Sequence, residues 1–199
     1  MIAAAEALAR LARGNRDFVT VRAHERDISP ERIEELYAYG QNPFAVVVTC
    51  SDSRTVPEHM FMMGLGDLFV IRVAGNVVGP VELGSVVYAC EHLGVKLVLV
   101  LGHTGCGAVE AAMHALDTEG ADAVAASDAA EDPLAALTAP IGRAIGSERD
   151  PYRASELNVR AGMAALRAEP ALAHLAETNG LEVHGAIYHT HSGGVDFLD

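Results

Sequence analysis

Two runs of buried-strand character, each ending in a short loop dense with reactive side chains, constrain this chain more than any other feature. Val46-Val47-Val48-Thr49 leads into Cys50-Ser51-Asp52-Ser53-Arg54, and Leu97-Val98-Leu99-Val100-Leu101 leads into His103-Thr104-Gly105-Cys106-Gly107. Continuous β-branched and aliphatic runs of this length are the pattern of strands covered on both faces, as in a parallel sheet. The loops at their carboxyl ends then lie along the edge of an open α/β sheet, where sites are built.

The rest of the chain supports that frame. Ile2, Leu8 and Leu11 fall at helical spacing and predict an amphipathic helix over residues 2–17. Ser29-Pro30 is a helix start and Gly40 a stop, giving a second helix over 30–39. Strands are expected at 44–49, 68–73, 96–101 and 181–188. Helices are expected after Val56, over 81–93 and 105–116, and over 155–168 and 171–178, the last two split by Pro170. Ala74-Gly75-Asn76 reads as a permissive turn, and Ser192-Gly193-Gly194 as a hairpin into an edge strand at 195–198. The predicted class is α/β with three layers: a mostly parallel central sheet of four strands, a C-terminal antiparallel edge strand, and an N-terminal helical arm over about residues 1–40.

With 199 residues, half of them hydrophobic, a single domain over 1–199 with a sizeable core is expected. Residues 117–132 hold six acidic side chains, and there is no Lys or Arg between Val95-Lys96 and Arg143. The alanine-rich stretch over about 117–150 therefore reads as a solvated connection or loose helix outside the core. A formal charge of −13 argues against nucleic acid or an anionic membrane as a partner. No apolar run is long enough to span a bilayer, and the N-terminus lacks the pattern of a signal peptide. Three cysteines suit a reducing compartment, and cytoplasm is the expected location.

In an extended segment, residues two apart face one side, so Cys50 and Asp52 can look at one point while Arg54 reaches the Asp52 carboxylate. His103 and Cys106 are three apart, with glycines that permit a tight turn, and Cys106 would open a helix whose dipole favours a thiolate. Taken singly, Cys50 also fits a core cysteine and the second run a glycine-rich anion loop. Together, at the ends of neighbouring strands, Cys50, His103 and Cys106 make a soft three-ligand set suited to zinc with an open fourth position. Cys90, mid-helix, reads as packing, and Tyr188 as a sheet residue.

With these residues in place, the sequence resembles the β-class carbonic anhydrases over nearly its whole length. The resemblance is carried by Cys50-Ser51-Asp52-Ser53-Arg54 and Gly102-His103-Thr104-Gly105-Cys106-Gly107. Further matches are Gly14-Asn15-Arg16-Asp17-Phe18-Val19, Gly66-Asp67-Leu68-Phe69-Val70-Ile71-Arg72, Ala74-Gly75-Asn76 and Gly185-Ala186-Ile187-Tyr188. It implies reversible hydration of carbon dioxide to bicarbonate and a proton. Zinc would sit on Cys50, His103 and Cys106 and activate a water, while Asp52, held by Arg54, orients the water or accepts its proton. In some relatives the matching Asp instead becomes a fourth ligand and closes the site. Gln41, Phe69, Ala74, Gly75 and Tyr88 match positions that line the substrate pocket, across a homodimer or dimer-based tetramer. Val73 and Val87 depart from the Asn and Glu common in relatives, and the chain has no Trp for the bicarbonate pocket some relatives carry. His59, His92, His114, His189 and His191 are candidate proton carriers.

Two other readings share the site. One is hydrolysis of carbon disulfide or carbonyl sulfide, both linear and apolar. The other is a non-catalytic, zinc-bound bicarbonate or pH sensor, disfavoured because such a site has no use for an Arg-oriented carboxylate. A redox dithiol is the weakest reading, because no Cys-x-x-Cys is present.

Overall fold

The computed structural model describes residues 1–20, 27–127 and 132–198. Its sheet comprises β1 (Ala45–Thr49), β2 (Leu68–Arg72), β3 (Leu97–His103), β4 (Glu182–Tyr188) and β5 (Val195–Leu198), in the order β2-β1-β3-β4-β5. The first four run parallel and β5 returns antiparallel to β4, as expected. Every residue of β1 and β3 is buried, which is why their runs do not alternate.

Helices cover both faces. On one, α1 (Ala4–Val19) and α3 (Pro57–Met60) bring Ala7, Leu11, Met60 and Phe61 onto Val47, Leu99 and Leu101. On the other, α4 (Pro80–His92), α8 (Pro151–Ala168) and α9 (Pro170–Asn179) bring Val86, Cys90, Leu166 and Leu172 onto Val46, Val48, Val98 and Val100. Cys90 is packing, as read, and its buried thiol is pushed up to about 12, first by desolvation.

The helical arm divides in two. α1 spends its apolar side on the sheet, so it is a layer of the core rather than an arm. α2 (Pro30–Tyr39) is capped by Ser29, whose hydroxyl accepts the Arg32 amide, and it buries none of its residues.

The stretch expected to be a loose connection is a correction. α5 (Gly107–Thr118), α6 (Ala121–Ala126) and α7 (Ala135–Ile145) fill it, and Val124, Ala139, Ile141 and Ile145 are buried. Among the described residues Asp117, Glu119, Asp122 and Asp132 are exposed, while the small residues that dominate the stretch are what close helix packing requires. Gly142 is one case: a Cβ there would lie 2.8 Å from Val124.

β3 runs two residues further than expected, because Gly102 and His103 stay in register with Ile187 and Tyr188. The chain leaves β1 through α3 toward the α1 face, and leaves β3 through α5 toward the α8 face. Adjacent parallel strands whose connections depart to opposite faces open a crevice between their carboxyl ends. Cys50 lies just past β1 in that crevice; His103 ends β3, and Cys106 caps α5.

Candidate metal centre

The ligand atoms of Cys50, His103 and Cys106 all lie within 4.8 Å of one another, and all three residues are buried. His103 Nδ1 is 3.0 Å from the Thr104 carbonyl oxygen, which can only accept, so the ring proton sits on Nδ1. That leaves Nε2 as the nitrogen turned to the sulfurs. It is buried and, among the described residues, has no hydrogen-bond partner. A buried, unpartnered ring nitrogen beside two thiols, with its second nitrogen anchored on a carbonyl, is the arrangement of a metal-ligating histidine. The residues present therefore fit a soft divalent metal.

The two sulfurs are not equivalent. Two backbone amides point at Cys50 Sγ, from Gly75 at 3.3 Å and Asp52 at 3.4 Å. The Cys50 thiol is pushed down to about 4, first by the Cys106 thiol beside it and against the cost of burial; His103 and the two amides add to this. Cys106 is pushed up, first by the same contact and then by burial, although the Val109 and Ala108 amides at the start of α5 oppose the shift. The contact between the sulfurs favours the thiolate on Cys50 over Cys106, and a metal that takes both sulfurs displaces whatever proton they hold. Burial works against a charged His103, but the nearby thiolate, the Thr104 carbonyl and Asp52 outweigh it and raise its pKa.

Asp52 is locked. Arg54 donates Nε to Oδ1 at 3.0 Å and Nη2 to Oδ2 at 2.8 Å, and the Arg54 backbone amide donates to Oδ1 at 2.9 Å. This fork holds the Asp52 carboxyl well below the usual carboxylate range. Arg54 also reaches the Gly105 carbonyl at 3.1 Å, tying the first loop to the second. Asp52 Oδ2 lies 4.0 Å from His103 Nε2, so the locked carboxylate borders the three donors.

Several supports went unassigned in the sequence reading. Arg72, at the end of β2, donates to the Cys50 carbonyl at 3.2 Å and to the Asp52 carbonyl at 2.7 Å. The Thr55 hydroxyl, fully buried, donates to the same two carbonyls. A loop that must hold a cysteine and a carboxylate at one point needs its carbonyls satisfied, and the Arg-Thr composition of the flanks was the available signal.

The expected pocket residues fall into two groups. Gly75 touches the Cys50 sulfur through its amide, and Ala74 precedes it in the same turn. Phe69 on β2 and Tyr88 on α4 pair with each other, ring centroids 6.3 Å apart, and Tyr88 also meets His92 at 5.2 Å. Gln41 is exposed just after α2, and Tyr88 is 47% exposed. Among the described residues, none of these three hydrogen-bonds the sulfur-histidine cluster within the one chain. Val73 packs against the apolar cluster that includes Cys50 and Cys106, and Val87 packs against the α4–sheet core. His189 is held by Asp196 at 2.7 Å and stacks on Tyr152.

A family model described as carbonic anhydrase matches residues 45–195. The chain is 46% identical over 107 residues to "Carbonic anhydrase 2" of Mycobacterium tuberculosis, an alignment covering 54% of this chain. The chain spans about half, 51%, of that relative's length. It is 38% identical to "Carbonic anhydrase" of Pseudomonas aeruginosa, covering 88% of this chain and 83% of the relative. Among solved structures, the β-carbonic anhydrase CafA of Aspergillus fumigatus superposes with a TM-score of 0.69 at 30% identity, covering 98% of this chain and 90% of that one.

Proposed function

The chain belongs to the β-class carbonic anhydrase family, and from that premise we propose that it catalyses the reversible hydration of carbon dioxide to bicarbonate and a proton on a zinc site. The observation that carries this reading is the buried, unpartnered His103 Nε2 facing two cysteine sulfurs, with an Arg-locked carboxylate 4.0 Å away. A structural metal site would need a fourth protein ligand and would have no use for that carboxylate.

Cys50, His103 and Cys106 would hold the zinc. When bound, zinc supplies a Lewis acid that makes a water molecule acidic near neutral pH. Asp52 would orient the attacking water by accepting a hydrogen bond from it at Oδ2. It can do so because Arg54 keeps the carboxylate ionised and fixed in direction. Arg54 holds both Asp52 oxygens, which supports a carboxylate fixed beside the three donors rather than one that swings onto the metal as a fourth ligand. Val73, packed against the cluster that contains Cys50 and Cys106, offers an apolar side that suits an uncharged linear molecule, and the Gly75 amide donates to the Cys50 sulfur.

The shared-pocket roles of Gln41, Phe69 and Tyr88 belong to an assembled dimer or dimer-based tetramer, in which a second copy covers α2. No helix among the described residues is long and apolar enough to cross a membrane. The free cysteines suit a cytoplasmic location.

Stopped-flow hydration of carbon dioxide by zinc-loaded protein tests the reading. Wild type should turn over at neutral pH, and Asp52→Ala should keep its zinc and lose activity by about 10²-fold or more, the usual cost of losing a group that positions a reactant. Zinc-loaded wild type inactive on carbon dioxide but active on carbonyl sulfide or carbon disulfide would overturn the substrate. Full activity in zinc-bearing Asp52→Ala would remove the role of Asp52.

A further inference from the structure

Gly75 sits in the turn Ala74–Asn76 with φ +69 and ψ 18, and Asn76 after it is also left-handed, at φ +45. Two successive left-handed residues, one of them not glycine, persist only where their surroundings fix them. Three hydrogen bonds do so. The Asn76 amide donates to the Val73 carbonyl at 3.0 Å, the Gly75 amide donates to Cys50 Sγ at 3.3 Å, and the Gly75 carbonyl accepts from Asn158 Nδ2 at 2.7 Å. A Cβ at Gly75 would lie 2.7 Å from Ile141 Cδ1 and 3.0 Å from the Ala108 Cβ, so the backbone itself is pressed between α5 and α7.

Asn158 reaches this turn from α8, 83 residues further along the chain, and is only 6% exposed. Asparagine is a poor helix former, and a buried amide is costly unless bonded. Neither helix formation nor apolar packing accounts for this residue at that place; the bond to Gly75 does.

We propose that Asn158 is a positioning residue of the metal centre: from α8 it grips the Gly75 carbonyl and so fixes the turn that aims the Gly75 amide at the Cys50 sulfur. The inference rests on the metal reading above. An amide donated to a ligand sulfur sets that sulfur's direction and its donor strength, and outer bonds of this kind govern metal affinity. Without Asn158 the Gly75 peptide can relax from its left-handed state, and the amide leaves the sulfur.

The test compares Asn158→Leu, with the same number and branching of side-chain heavy atoms but without the amide, with Leu166→Ala. Leu166 is buried on the same helix but packs in the sheet core away from this turn. Zinc affinity is read by chelator competition, and the sulfur field by the sulfur-to-metal charge-transfer absorption of cobalt-loaded protein. Asn158→Leu should bind zinc about 10–100-fold more weakly and shift the cobalt band. Leu166→Ala should lower the melting temperature and change neither. Asn158→Ser, smaller and still polar, carries the comparison if Asn158→Leu does not fold, and should change both readouts in the same direction. A folded Asn158 variant with wild-type affinity and band overturns the proposal, as does Leu166→Ala with equal losses. Wild type that takes up neither metal would overturn the metal reading itself, and this inference with it.

Discussion

Asp52 and Arg54 carry the sharpest consequence for a single pair of side chains. Arg54 lowers the Asp52 pKa below the ordinary carboxylate value of about 3.9. A carboxylate whose folded pKa is depressed binds fewer protons folded than unfolded. Its contribution is complete above the unfolded pKa and is lost as pH falls toward the folded one. Metal-free wild type should therefore lose stability more steeply than Arg54→Met between about pH 5 and pH 2. Urea midpoints of both proteins across that range check this; parallel curves would mean that the fork adds nothing to the fold. The two members of this pair were readable in the sequence as neighbours, but a turn rather than an extended segment joins them: the Thr55 amide donates to the Asp52 carbonyl and the Arg54 amide to Asp52 Oδ1. Gly75 was expected beside the pocket, but its bond to the Cys50 sulfur and the role of Asn158 were not readable: an amide on a sulfur leaves no mark on residue type, and its anchor lies on a distant helix.

Elements matter through what ties them together. Asn15 on α1 is buried and donates Nδ2 to the Met60 carbonyl at 3.1 Å and the Gly193 carbonyl at 2.8 Å, while its Oδ1 accepts the Val195 amide at 3.0 Å. One side chain thus joins α1, α3 and the β4–β5 hairpin. Asn15→Ala should cost about 2–4 kcal/mol, because it strands several buried backbone groups at once. Unfolding by urea measures it, and a loss under about 0.5 kcal/mol, as for an ordinary surface change, would contradict the tie. Strands, and helices with clear caps, were readable: Ser29 and Gly40 bound α2 as their chemistry requires. α7 was not. Its sequence is alanine-rich and interrupted by Pro140, yet Ile141 and Ile145, one helical turn apart, bury fully beside Ala139 and Gly142. Small residues make close packing possible without a strong apolar period, so composition alone made the stretch look solvated.

For the molecule as a whole, the unspent apolar surface is the informative quantity. Ile33 is 56%, Tyr37 92% and Tyr39 88% exposed on α2, and Val81 and Tyr88 on α4 are exposed as well. Large aromatic side chains left in water on a helix that buries nothing favour a protein partner. The mass in solution should be at least twice that of one chain by light scattering, and Tyr37→Glu with Tyr39→Glu should lower it. An active monomer would contradict the shared pocket. The most direct test of the metal centre is X-ray absorption of zinc-loaded wild type. Two sulfurs at about 2.3 Å, one nitrogen at about 2.0–2.1 Å and one further light atom are expected, with one sulfur lost in Cys106→Ala. A first shell with fewer than two sulfurs in wild type, or one unchanged in Cys106→Ala, would contradict it.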